Sequence, residues 1–246
     1  MTHLLRSLIR ETLLQESDSP TARAAAAGYA VVKIGNESSA RVMIYSPQIL
    51  FDVLDEVAGP TLASMRKAIL ESITDSCVLR ASVRYSVPAR GVCWDSSVVS
   101  NSVAAADGVG DLPRVGPAAY EAAMWYSRNH RLAPDRLEVS SSAEKVWKKY
   151  KWRENSGEVE SLEFDNVDNP KTPSPKDDCI VHDDKERPVI DRAYSLKAKP
   201  PGLTDLENKH SEVAEKLLSD YGFDEGTFNS VLTSLSSRLF WENYNG

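Results

Sequence analysis

The chain has 246 residues, of which 41% are hydrophobic and 26% are charged, a composition typical of a globular protein. Its formal net charge of −7 disfavours a protein that binds nucleic acid by neutralising phosphates. No apolar run approaches the roughly 20 residues that a membrane-spanning helix needs. The N-terminus also lacks the apolar core and small-residue cleavage site of a signal peptide. We therefore expect no nucleic-acid and no membrane partner.

The three cysteines, Cys77, Cys93 and Cys179, are widely spaced and odd in number. This pattern argues against a disulfide framework and predicts reduced thiols in a cytoplasmic protein. Cys179 and His182 are metal-ligand types beside two aspartates, but no second Cys/His pair completes a zinc site. We therefore predict no metal and a solvated acidic turn at this place.

The N-terminus carries the pattern of an amphipathic helix over residues 3–16, and a Ser-Asp-Ser-Pro sequence ends it at Pro20. Two interpretations stay open for this segment, residues 1–20. The helix packs on its own domain, or it is a docking peptide for a partner or an assembly. Both follow because an isolated helix this short is marginal in water and must bury its apolar face on something.

The next segments alternate as strands and helices. Strand patterns over 28–34 and 41–45 flank a Gly-Asn-Glu-Ser sequence, which is a clear hairpin signal. Apolar residues at helical spacing follow over 49–57 and 62–72. Extended patterns then return at two places, and the predicted order is β-β-α-β-β. These two strand candidates cover residues 77–87 and 92–105.

The middle block of the chain, residues 114–150, is its most informative part. It predicts a turn at Gly116, a helix over 117–129, a short strand near 137–139 and a second helix over 142–152. Backbone N–H groups at such a helix start, together with the helix dipole, favour the binding of a phosphate.

The character of the chain changes after residue 153. Residues 154–202 are rich in Asp, Glu, Lys, Pro and Ser, and we expect a long, mostly irregular, acidic segment there. Residues 203–246 carry two helix patterns, over 204–221 and 226–240, and form a predicted helical appendage. The region between the N-terminal helix and the acidic segment, residues 21–153, is then the main domain.

Three motifs of the middle block allow a comparison with a known family. They are Gly-Pro-x-x-Tyr at 116–120, Pro-Asp-Arg-x-x-Val-Ser at 134–140 and Ala-x-x-Val-Trp-x-x-Tyr at 143–150. On these motifs, residues 91–179 resemble a family of GNAT-like N-acetyltransferase proteins encoded by tailed bacteriophages. The resemblance implies an α/β fold with a twisted mixed sheet and helices on both faces. The N-terminal helix and the C-terminal helical appendage are additions to that fold.

The same resemblance implies acetyl-CoA as the cofactor. Tyr150 is then the candidate catalytic acid for the departing thiol. Two departures from the family pattern are visible: Pro117 has no N–H to offer a phosphate, and Trp147 stands where many members have a tyrosine. The candidate cofactor-binding residues are Arg114, Val115, Gly116, Pro117, Ala118 and Ala119.

Two functions of different classes follow from the resemblance. The first is acetyl-CoA-dependent N-acetylation of an amine, carried out in the host cytoplasm. The second is a non-catalytic structural or assembly role in the phage virion, on a degenerate GNAT scaffold. In that case the N-terminal and C-terminal helices are the candidate contacts with other virion or assembly proteins. Fold alone does not separate the two, because function belongs to the site and not to the scaffold.

Overall fold

The computed structural model describes residues 19–36, 38–57, 61–71, 78–88, 96–104, 115–135, 139–166, 172–173, 177–180 and 188–245. The predicted N-terminal helix over 3–16 lies outside the described residues. The described helices are α1 (Pro20–Ala26), α2 (Pro47–Asp55), α3 (Leu62–Glu71), α4 (Gly116–Tyr126), α5 (Ser141–Arg153), α6 (Leu203–Tyr221) and α7 (Glu225–Asn245). The described strands are β1 (Ala30–Gly35), β2 (Ser39–Tyr45), β3 (Leu79–Ser86), β4 (Ser97–Ala104), β5 (Leu132–Ala133), β6 (Val159–Glu163), β7 (Asp165–Asn166), β8 (Asp178–Ile180) and β9 (Arg192–Leu196).

Seven strands form one mixed sheet in the order β1-β2-β3-β4-β5-β9-β6. All neighbouring strands in this sheet are antiparallel except β4 and β5, which are parallel. Helix α4 connects these two parallel strands. Strands β7 and β8 form a separate parallel pair. The α/β class with a mixed sheet, predicted from the sequence, is confirmed.

The predicted hairpin is confirmed as β1 and β2. Gly35 has a φ of +117°, a conformation that side chains disfavour, and a Cβ there would lie 2.3 Å from the carbonyl oxygen of Ser39. The side chain of Asn36 holds the turn by accepting the backbone N–H groups of Ser38 at 3.0 Å and Ser39 at 2.9 Å. The turn therefore sets the register that pairs Ala30 with Tyr45.

Two cores lie on opposite faces of the sheet, because strand residues alternate between them. Val31, Val42 and Ile44 point to the core that includes α4 and α5. Val32 and Met43 point to the core that includes α2 and the later part of α6 with α7. The two C-terminal helices, predicted as an appendage, thus cover one face of the sheet. No helix in the described part of the chain is long and apolar enough to cross a membrane.

The structure differs from the sequence prediction in five strands, β5 to β9. The short strand expected near 137–139 is β5, at Leu132–Ala133; residues 136–138 lie outside the described residues and Val139 is not in a strand. Strands β6 to β9 all lie within the segment predicted to be mostly irregular, where β6 pairs with β9 and β7 pairs with β8. Arg131, which precedes β5, has a φ of 47°, and this unusual turn of the chain is not readable from composition.

A buried histidine connects the C-terminal helices to the sheet. The Nδ1 atom of His210 in α6 lies 2.9 Å from the hydroxyl of Tyr45 in β2, and its ring stacks on Phe228 in α7. Burial lowers the pKa of His210 below its usual value, although Glu225, with a carboxylate oxygen 3.8 Å from Nε2, acts in the opposite direction. The neutral ring is therefore the form that the folded protein favours.

We expect the free energy of unfolding to fall as the pH drops below about 6.5, the usual pKa of histidine. Below that value the unfolded chain takes up the proton on His210 more readily than the folded chain, so protonation favours unfolding. Denaturant titrations between pH 7.5 and pH 5 measure this loss. His210→Gln should show a smaller loss over the same range. If the free energy of unfolding of this variant falls with pH as steeply as that of wild type, His210 is not the cause of the loss.

Candidate functional site

The predicted cofactor site lies where the two parallel strands separate. Strand β5 pairs only with the first two residues of β4, through Ser97 with Leu132 and Val98 with Ala133. Because β5 has only these two residues, the rest of β4, up to Ala104, continues without it. Within the described residues, the parallel strands thus stay together for two residues, and α4 follows β4 in the chain.

The start of α4 offers two backbone N–H groups to a ligand. Val115 is the N-cap residue, and Gly116 is the first residue of the helix. Pro117 has no N–H, and the N–H of Ala119 already donates to the carbonyl oxygen of Val115 at 3.1 Å. The N–H groups of Gly116 and Ala118 are the ones a phosphate would take. The sixth predicted residue of this group, Arg114, lies outside the described residues.

Tyr150, the candidate catalytic acid, lies directly against this helix start. Its hydroxyl donates to the carbonyl oxygen of Pro117 at 3.0 Å, and the side chain is only 2% exposed. Burial, with the negative charge of Glu121 as the next contribution, raises the pKa of Tyr150 well above its usual range. A general acid works best with a pKa near the working pH, so this environment makes Tyr150 a poor proton donor to a thiolate.

Trp147 is a core residue. It is 1% exposed, and its ring stacks on Tyr194 of β9 with the centroids 5.5 Å apart. The ring of Tyr120 in α4 meets Trp147 edge-on at 5.1 Å. The hydroxyl of Tyr120 donates to Ser102 of β4 at 2.6 Å. Trp147 therefore holds α4, α5 and β9 together by aromatic packing.

A buried carboxylate beside the candidate site escaped the sequence analysis. Glu121 of α4 has no exposed surface, and Oε1 accepts from Arg153 Nη1 of α5 at 2.6 Å. Its other oxygen accepts from the backbone N–H of Thr21 at 3.0 Å, from the Thr21 hydroxyl at 2.7 Å and from the Ser19 hydroxyl at 3.0 Å. The only signal in the sequence was a charged residue inside a helix of small residues.

The Glu121 cluster is a structural connection between helices. All four donors on the carboxylate come from α1, its N-cap residue Ser19 and α5, so Glu121 joins α4 to both neighbours. Arg153 lies over the ring of Tyr150, with the guanidinium carbon 5.6 Å from the ring centroid. With its two oxygens taken by protein donors, this carboxylate is ill suited to act as a base.

Cys179 is disulfide-bonded, so the prediction of reduced thiols is wrong for this residue. Cys179 is also 2% exposed, in the small core that contains Phe164 and Ala193. The chain's other two cysteines lie outside the described residues, as does His182. Widely spaced cysteines reveal no pairing until the fold brings two of them together.

Comparison of the chain with protein-family models, with curated proteins and with solved structures finds no match. The resemblance to GNAT-like phage proteins therefore rests on the three sequence motifs. The structure adds the arrangement of elements around them: a parallel strand pair, a helix between its strands, and a tyrosine of the next helix at that helix start.

Proposed function

We propose that this chain is a GNAT-like scaffold protein without acetyl-transfer activity, with a structural or assembly role in a tailed-bacteriophage particle. The observation that carries the proposal is the hydrogen bond from Tyr150 to the carbonyl oxygen of Pro117. It directs the proton of the candidate acid into the protein, at the place where a thiolate would have to receive it. A buried, raised-pKa phenol in that position stabilises the fold rather than a leaving group.

The start of α4 supports the same proposal. A cradle for a pyrophosphate uses several convergent N–H groups, because each one stabilises part of the negative charge. Here Pro117 removes one such group and Ala119 uses its own within the helix. The helix start therefore has fewer free N–H groups for a pyrophosphate than the sequence pattern indicates, and we expect it to bind a pyrophosphate more weakly.

The disulfide at Cys179 supports a location in the particle. Disulfides persist at virion surfaces and in other oxidising surroundings, and they are rare in proteins that stay in a reducing cytoplasm. In the proposed role, the helix predicted over 3–16 and the exposed faces of α6 and α7 make the contacts with other virion or assembly proteins.

A second candidate function is acetyl-CoA-dependent N-acetylation. The observation that favours it is the parallel pair of β4 and β5, with α4 lying between these two strands in the chain. In a mixed α/β sheet, ligands bind beyond the carboxyl ends of parallel strands. The N–H groups of Gly116 and Ala118 then hold the pyrophosphate of acetyl-CoA.

Isothermal titration with acetyl-CoA, combined with an assay for released CoA thiol, separates the two functions. We expect no binding tighter than millimolar and no thiol release, with a cooperative unfolding transition showing that the protein is folded. A micromolar Kd, about −8 kcal/mol, with thiol release in the presence of an amine would replace our proposal with the second candidate. Mass spectrometry of purified phage particles tests the location.

Tyr150→Phe removes the hydroxyl that donates to the carbonyl oxygen of Pro117. We expect a loss of about 1 kcal/mol in the free energy of unfolding, because the carbonyl oxygen of Pro117 loses its donor. Denaturant titration measures this loss. A variant with unchanged stability, but with a large fall in any acetyl-transfer rate that wild type shows, would instead mark Tyr150 as a catalytic residue.

A further inference from the structure

An irregularity in the sheet sets Arg80 apart from its neighbours. In the pairing of β2 with β3, Ile44 lies opposite Ala81 and Tyr45 lies opposite Leu79. Arg80 is thus an extra residue on β3, with no partner on β2. Such β-bulges turn a side chain out of the regular alternation and are common beside binding sites.

The guanidinium group of Arg80 is buried without a partner for two of its nitrogens. Arg80 is 5% exposed, and neither Nε nor Nη1 has a hydrogen-bond acceptor among the residues that the structure describes. An unpaired charge in a protein interior is expensive, and native structures pair it with an anion or a carbonyl. Arg80 therefore has N–H donors free for an anion, and no described residue provides that anion.

Tyr29 places a phenol hydroxyl beside Arg80. It is 2% exposed, and its hydroxyl interacts with the Arg80 side chain and has no other hydrogen-bond partner among the described residues. Burial raises the pKa of Tyr29, while the charge of Arg80 and a hydrogen bond with its side chain lower it in part. The strand register brings the two residues to the same part of the sheet. Ala30, next to Tyr29, pairs with Tyr45, and Tyr45 pairs with Leu79, next to Arg80.

We propose that Arg80 and Tyr29 form a binding site for an oxyanion, either a phosphate or the carboxylate group of a small molecule. The planar guanidinium can donate two parallel hydrogen bonds to two oxygens of either group, and a phenol hydroxyl donates one further hydrogen bond. The site does not depend on the function proposed above, because none of its residues belongs to the start of α4.

Thermal unfolding and isothermal titration at pH 7, with sodium phosphate or sodium acetate against sodium chloride at equal ionic strength, test this proposal. We expect one of the two anions to raise Tm with increasing concentration, since a ligand that binds only the folded state stabilises it. The active anion identifies the chemistry of the ligand as phosphate or carboxylate. A Tm that follows ionic strength alone, with no heat of binding, would overturn the proposal.

Three variants locate the effect. Tyr29→Phe should weaken anion binding roughly tenfold, and Arg80→Met should abolish it, because charged hydrogen bonds are the stronger ones. Arg84→Met is the matched control, since Arg84 lies on the same strand with its side chain exposed. Binding that Arg84→Met removes and Arg80→Met leaves intact would place the anion elsewhere and contradict the proposal.

The stability of Arg80→Met without added anion gives an independent check. A guanidinium that lacks a protein partner is costly to bury, so Arg80→Met should be at least as stable as wild type in chloride buffer. A large loss would mean that Arg80 is paired within the protein, and the proposal would fail. If Arg80→Met does not fold, that outcome counts as such a loss unless Arg80→Lys folds and binds the anion at least tenfold more weakly than wild type.

Discussion

Replacing Glu121 with alanine is expected to lower the free energy of unfolding by about 3 kcal/mol, a large part of the stability of an ordinary domain. The substitution leaves Arg153, with 14% of its side chain exposed, without its buried partner. It also leaves the backbone N–H of Thr21 without its acceptor, while the Thr21 hydroxyl keeps only the carbonyl oxygen of Pro201 at 2.8 Å. Denaturant titration by circular dichroism measures the loss.

Glu158→Ala is the matched control, because Glu158 pairs with the same arginine from the protein surface. Its carboxylate lies 2.9 Å from Arg153 Nη2, and more than half of its side chain is exposed, so we expect a loss below about 1 kcal/mol. In the cycle with Arg153→Ala, removing both members of the buried pair should cost less than the sum of the single losses. Equal losses for Glu121→Ala and Glu158→Ala would show that burial does not govern this cluster.

The sequence predicted those elements that their own local pattern determines. The hairpin of β1 and β2, the helices α4 to α7 and the strand β3 all have alternation or helical spacing of apolar residues, and all are confirmed near the predicted bounds. Strands β6 and β9 were missed because polar and charged residues dominate that stretch. Their pairing runs from Val159 with Leu196 to Glu163 with Arg192. It joins segments more than 25 residues apart in the chain, and no local sequence pattern predicts it.

The candidate site shows the same division between local and distant information. The helix start at Gly116 and the closeness of Tyr150 to it were predictable from the motifs, since both belong to recognised helices. The partners of Glu121 were not, because they lie about 100 residues earlier and 32 residues later in the chain. The disulfide of Cys179 was missed for a similar reason, since spacing alone does not bring two cysteines together.

Substitutions at Trp147 test most directly whether this site is structural or catalytic. Trp147→Ala is expected to lower the free energy of unfolding by about 4 kcal/mol, because it leaves a large cavity among Tyr120, Tyr150 and Tyr194. Denaturant titration measures this loss, and near-ultraviolet circular dichroism should show the lost aromatic packing.

Trp152→Ala is the control on the same helix and with the same residue type. Trp152 is 70% exposed, so its removal should change the stability by less than about 0.5 kcal/mol. Trp147→Tyr, which introduces the residue that many proteins of the resembled family have at this place, should also destabilise the protein, since a smaller ring brings a hydroxyl into a packed aromatic cluster. A Trp147→Tyr variant that kept full stability and gained thiol release from acetyl-CoA would instead show that one substitution separates this scaffold from an enzyme.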